Sequence, residues 1–234
     1  MRKHGSTFYC FSPQVMLATF FIEVGLVFYT LYTKKLNPVA QRGVLLITLL
    51  AIFQLTEYGV CEQVGITTQS WSKIGFTAIT LLPPLGLHIA YSVIQKRADW
   101  LVYGAYLLAL GWIGYFLFGN IMNGAVCGGN YVIFKIPNPQ ELLYYIYYDG
   151  IILSTIVAIF FFRYKQTQKK VRAALLALAL GYASFILPSI IFTIIDNQHN
   201  HGDSPLPSIL CGFAVFFALI LTFSVIPKSS KSRL

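Results

Sequence analysis

Apolar positions in this sequence fall into seven long runs separated by short polar or irregular stretches. The first, about Val15 to Tyr32, is interrupted only by Glu23, and the second, Val44 to Val60, carries Gln54 and Glu57 late in its length. The third runs from Ile74 to Ile94 through the pair Pro83-Pro84, and the fourth, Leu101 to Phe118, is rich in aromatics and glycine. The fifth begins Leu142-Leu-Tyr-Tyr-Ile-Tyr-Tyr-Asp-Gly150, the sixth spans Ala173 to Ile195, and the seventh spans Ile209 to Ile226. Each approaches the roughly 20 residues that cross a hydrocarbon core at about 1.5 Å per helical residue. Lipid tolerates only helices or closed barrels, because every backbone group must be satisfied internally. The runs are continuous rather than alternating, so helices are expected. The pattern predicts an all-α integral membrane protein: a single seven-helix domain over 1–234. Its helices are expected near 14–33, 43–61, 72–94, 100–119, 142–162, 173–195 and 207–226. The Gly- and Pro-bearing stretch 120–141 is too irregular to span lipid and reads as a long extracytoplasmic loop.

Composition agrees: 56% of residues are hydrophobic and only 11% charged, with a mean hydropathy of +0.67. Soluble domains carry roughly 25% charged residues. The net charge of +9 could suggest nucleic acid, but the basic residues form short clusters between apolar runs, where membrane topology accounts for them. With the N-terminus outside and the C-terminus cytoplasmic, thirteen of the 17 Lys and Arg residues fall on the inner side. They lie around Lys34–Arg42, Lys96–Arg97, Arg163–Arg172 and the tail after Pro227, leaving Arg2, Lys3, Lys73 and Lys135 outside. The positive-inside bias over short loops sets that orientation. Trp71 and Trp100 then fall at opposite interfaces. Arg2 and Lys3 precede a run too long for a cleaved signal peptide. The outer segments lack a glycosylation sequon, which suits a bacterial inner membrane.

All four cysteines, Cys10, Cys61, Cys127 and Cys211, map to the outer, oxidising side in this topology. Four cysteines allow three pairings. Cys61–Cys127 is the leading one, because it clips the glycine-rich loop to the second helix, and Cys10–Cys211 is a second; Cys211 could equally be a small apolar helix residue. Ionisable groups at membrane depth are costly and are functional candidates by default. Those here are Glu23, Glu57 with Gln54 on the same helical face, Asp149 with Tyr145 one turn before it, and His88. Each could instead be interhelical polar glue, but the acidic set is expected to converge on a ligand-binding cavity open to the outside. Pro83 and Pro84 remove two backbone donors and should kink the third helix.

Other features are weaker. Asp196-Asn-Gln-His-Asn-His-Gly-Asp203 could hold a metal through His199 and His201, but its spacing fits an ordinary solvated loop, so no metal is expected. The sixth run places Ala173, Ala177 and Gly181 at spacing four, a ridge for close packing on a neighbour or on a second copy of the chain. The seventh run lacks a lysine for retinal, and His88 has no second histidine at depth for haem. No catalytic motif appears, so neither a cofactor nor an enzymatic activity is expected.

The stretch Trp71-Ser-Lys-Ile-Gly-Phe-Thr-Ala-Ile-Thr-Leu-Leu-Pro-Pro-Leu-Gly-Leu-His-Ile-Ala-Tyr91 resembles the N-terminal seven-helix sensory region of certain bacterial histidine kinases and diguanylate cyclases. There a Trp, a Lys and a Gly lead into a proline-containing helix that ends in a similar aromatic turn. The resemblance covers about twenty residues, and no kinase or cyclase module is expected alongside it. It implies a stand-alone receptor-like module that senses a small or lipidic ligand from the outer side and acts through a signalling partner. A small transporter or proton-linked channel, or a structural subunit of a membrane complex, are the alternatives. The orientation is checked by single-cysteine variants in the Gln95–Asp99 turn, which should label only from the cytoplasmic face; labelling from the other face would invert the topology.

Overall fold

The computed structural model describes residues 13–119, 125–127, 132–134, 137, 139–197 and 206–229, and within them the side chains of all but 126, 132–134, 185, 189, 190, 192–197 and 206–212. The chain is built of helices: α1 (Pro13–Thr33), α2 (Pro38–Glu62), α3 (Thr68–Thr80), α4 (Leu82–Val93), α5 (Trp100–Phe118), α6 (Gln140–Lys165), α7 (Lys169–Asn197), α8 (Leu206–Ile220) and α9 (Ile226–Ser229). A π-helical turn, Leu221–Val225, joins α8 to α9. Between α5 and α6, strand β1 (Ala125–Cys127) pairs antiparallel with β2 (Val132–Phe134). Six helical segments among the described residues are long and apolar enough to cross a membrane, with α3 and α4 counted as one.

The boundaries follow local chemistry. Asn37-Pro38 starts α2 rather than merely separating two runs: the Asn37 side chain accepts from the Ala40 N–H at 2.8 Å, and Pro38 supplies the first-turn φ at no cost in hydrogen bonds. The helix thus begins well before the apolar run does. Thr67 caps α3 in the same way through the Ser70 N–H, and Asp99 caps α5 through the Leu101 N–H. The basic and amide-rich stretches at the ends of α6 and α7 also extend those helices beyond their apolar cores.

The α3–α4 pair and α2 are the most enclosed spans, and α1 and α5 the least. Helix α1 lies along α2 and meets α8; α4 packs between α2 and α6; α7 lies between α6 and α8. The inward face of α1 is Met16, Thr19, Glu23, Leu26 and Thr30, alternating steps of three and four that keep one stripe on its neighbour. Buried threonines satisfy their hydroxyls within their own helices, as Thr19 does on Met16, Thr30 on Leu26 and Thr155 on Ile151. The outer faces present Phe21, Leu107, Leu110, Ile146 and Val157. An apolar exterior of that extent is what a lipid-facing surface requires.

Several glycines among the described residues mark close approaches. A Cβ on Gly59 would stand 2.8 Å from the Trp71 ring at Cδ2, so the indole lies flat on α2 and its N–H donates to the Val64 carbonyl at 2.8 Å. A Cβ on Gly86 would collide with the Tyr182 hydroxyl, which brings α7 against α4. The ridge on α7 is used within the chain at Gly181, which Phe217 of α8 covers. The structure joins Cys61, near the end of α2, to Cys127 of β1 through a disulfide. With a sequence separation of 66 between the partners, that bond removes on the order of 4 kcal/mol of loop-closure entropy from the unfolded chain. Cys10 lies outside the described residues, as does the side chain of Cys211.

The turn between α4 and α5 is tied by Asp99. Its carboxylate accepts from the Tyr91 hydroxyl at 2.9 Å, from Lys96 at 3.3 Å and from the Leu101 N–H at 3.1 Å. Slight desolvation pushes the Asp99 pKa up, but these three hydrogen bonds and the Lys96 charge outweigh it and hold the carboxyl below its usual range. A carboxyl whose pKa falls on folding stabilises the folded state above its unfolded value, and that contribution disappears as pH falls through the folded value. Asp99→Asn should therefore be less stable than the wild type at pH 7, with the two thermal midpoints converging below about pH 4; a gap independent of pH would remove the electrostatic role.

Candidate membrane-embedded polar site

Glu23 sits near the middle of α1 on its inward stripe, and its side chain is 0% exposed. Neither carboxylate oxygen has a hydrogen-bond partner among the described residues. Glu57 and Gln54, one turn apart on α2, are each 1% exposed. The Gln54 amide nitrogen is also without an acceptor among the described residues. Glu57 is the charge that acts on Glu23. The structure thus brings two of the sequence-predicted carboxyls into electrostatic reach, with an amide on the same helical face. All three are closed off from the exterior rather than lining an open cavity.

The other candidates lie apart. Asp149 is on the exposed side of α6, a helix that packs chiefly on α4 and α7. Tyr145 is half-buried beside it, while Tyr144 and Tyr147 point inward. His88 is half-buried on α4, where its Nδ1 and the Tyr106 hydroxyl are 3.2 Å apart. Close by, the Arg42 guanidinium donates to Ser92 Oγ at 2.6 Å, and Ser92 donates to the His88 carbonyl at 2.5 Å. This network bolts α2 to α4 near the end that carries the basic turns. The loop with His199 and His201 lies outside the described residues. No cluster of three metal-ligating side chains occurs among the described ones.

The proline pair gives the site its frame. Pro84 has no N–H to offer the Thr80 carbonyl, and the Tyr147 hydroxyl donates to that carbonyl at 2.6 Å. The Thr80 hydroxyl and Tyr144 Oη are 3.0 Å apart. Around this junction Phe76, Trp112, Phe116 and Tyr144 pack with ring centroids 4.9–5.7 Å apart. Such contacts exceed simple area burial by about 0.5–1.5 kcal/mol each. Lys73 donates to the Leu117 carbonyl at 2.9 Å, capping the end of α5 where the helix dipole favours a cation. Trp71, Lys73 and Gly75, prominent in the Trp71–Tyr91 stretch, therefore each hold helices together: Gly75 receives Thr56 and Phe53 of α2.

No family model matches the chain, and no curated protein matches it.

Function is therefore read from the residues themselves. Reading the sequence alone overlooks Tyr144, Tyr147 and the Arg42–Ser92 bond. Two donorless prolines beside a tyrosine-rich helix were the available signal for the first pair. Tyr147→Phe should destabilise the protein by about 1–3 kcal/mol, because a buried carbonyl loses its donor. Pro84→Ala restores the backbone N–H, so Tyr147→Phe in that background should cost much less in a double-mutant cycle. An equal cost in both backgrounds would show that the hydroxyl does not serve the freed carbonyl.

Proposed function

We propose that this chain is a seven-helix receptor-like membrane module that binds a small or lipidic ligand and acts through a partner. In this reading α8, the π-turn and α9 form the seventh span, helical from Leu206 through Ser229. The N-terminus lies outside, on the strength of thirteen inner basic residues among 17. The observation that carries the proposal is Glu23, a carboxyl fully enclosed at the centre of a membrane-length helix without a partner among the described residues. Such a group costs several kcal/mol unless something pairs with it. Stability does not explain its presence, whereas a ligand bearing a hydrogen-bond donor or a positive charge does. Thr19 and Thr30 on the same stripe are self-satisfied, so on the inward face of α1 the unmet acceptor is Glu23.

A transport reading is favoured by one feature, the pairing of Glu23 with a second carboxyl across two spans. Relays of acidic side chains serve proton movement in membrane proteins. Thermal unfolding in nanodiscs against organic amines, fatty acids and lysophospholipids separates these readings. A ligand at about 100-fold its Kd adds roughly 2.7 kcal/mol to the folded state, and Glu23→Gln should abolish that shift. A shift that survives Glu23→Gln would move the ligand elsewhere. The absence of any shift, with proton flux across sealed liposomes that Glu23→Gln stops, would replace the receptor by the transporter.

A further inference from the structure

We propose that Glu23 is a proton-binding site, a carboxyl that takes up and releases a proton inside the bundle. The inference deepens the proposed function and rests on it only for the membrane placement of α1 and α2. Both Glu23 oxygens are enclosed and lack donors among the described residues. The Gln54 amide, 1% exposed and also without an acceptor among the described residues, supplies a second, independent sign of an unfilled polar site. A donor and an acceptor left unmet on facing helices are what an exchangeable hydrogen bond, directly or through one water, would satisfy.

Among the described residues, the surroundings contain no fixed cation for this purpose. Helix α1 packs on α2 and α8. Besides Glu57, α2 offers Arg42, Tyr58 and Glu62, and Arg42 is engaged with Ser92 and the Pro38 carbonyl. From Phe213 onwards, the described part of α8 and its continuation hold only Lys228, close to the terminus of α9. On the far side of α2, Lys73 of α3 caps α5, and His88 and Tyr91 of α4 are bonded to Tyr106 and Asp99. Glu57 is thus the one charge among the described residues that acts on Glu23, and it is of like sign. Taking up a proton neutralises an enclosed carboxylate that lacks a donor among the described residues, and so removes the cost of burying its charge. Binding becomes sensitive to pH without any histidine.

The test uses the whole chain in nanodiscs and a hydrophobic carbodiimide, dicyclohexylcarbodiimide, which reacts with protonated carboxyls in apolar surroundings. The acid adds across a C=N bond: the carboxyl oxygen bonds to the central carbon and its proton moves to nitrogen, with no leaving group. Peptide mass spectrometry should place the adduct on Glu23. Its yield should fall about tenfold for each pH unit above the titration midpoint of the group. Exchanging N-methylglucamine chloride for sodium chloride should leave the yield unchanged. Difference infrared spectra should show a protonated-carboxyl band that shifts in D2O and is missing in Glu23→Gln. Glu23→Asp, which keeps the acid, should retain a shifted band and covers the case in which the amide variant folds poorly. No adduct at Glu23, a yield indifferent to pH, or protection by sodium instead of alkali would each overturn the proton assignment. The ligand-binding shift can survive that outcome, and a carboxyl band without any ligand shift would remove the receptor reading alone.

Discussion

Pro84 leaves the Thr80 carbonyl without a backbone donor, and the middle of a membrane-length helix offers no water to replace it. The Tyr147 hydroxyl closes that gap from α6. Much of the bundle depends on this one requirement. Helix α6 must come close enough for a 2.6 Å bond, which lays Tyr144 against Phe76, Trp112 and Phe116 and draws α5 into the same cluster. On the other side of the break, α4 resumes with Gly86 under Tyr182, so α7 is positioned by the same interrupted span. A polar debt inside an apolar segment is thereby converted into the contacts among four helices.

The α1–α2 seam follows the opposite logic. At Glu23 the acidic group is enclosed but not matched by a donor among the described residues. Buried polar groups are ordinarily paired, and the exceptions concentrate where a site waits for a ligand or a proton. The rest of the α1 stripe is conventional, with threonine hydroxyls turned back on their own helix and aliphatic side chains filling the stripe. The contrast within a single helix face separates Glu23 from generic interhelical glue. Such a site is expensive to maintain, and the well-bonded α3–α6 half supplies the stability that tolerates it.

At one end of the bundle, the Cys61–Cys127 disulfide and the Trp71 indole hold the β-hairpin segment and the α2–α3 turn against the helices. At the other, Arg42–Ser92 and the Tyr91–Asp99–Lys96 set hold α2, α4 and the turn into α5. Both ends of α2 are clamped in this way.

Hydrophobic run length alone determined that this chain forms apolar helices, because only a helix buries about 20 consecutive backbone groups without outside partners. The helix-breaking effect of Pro83-Pro84 was equally legible, since a missing N–H is a covalent fact. The pairing of Cys61 with Cys127 was the leading one of three in the sequence, because it clips the long loop to the second helix, and the structure has that bond. What only the tertiary structure decided was facing. Tyr144 and Tyr147 share one side of α6, and Tyr145 with Asp149 another; the sequence offers both sets equally, and the donor that Thr80 needs selects the first. The same holds for the acidic set. Residue spacing placed Glu23, Glu57 and Asp149 at membrane depth, but the packing of α1 on α2, and of α6 on α4 and α7, brought the first two together and left the third outside. Depth is a property of position along the chain, whereas convergence depends on how helices rotate against one another, which no single helix encodes.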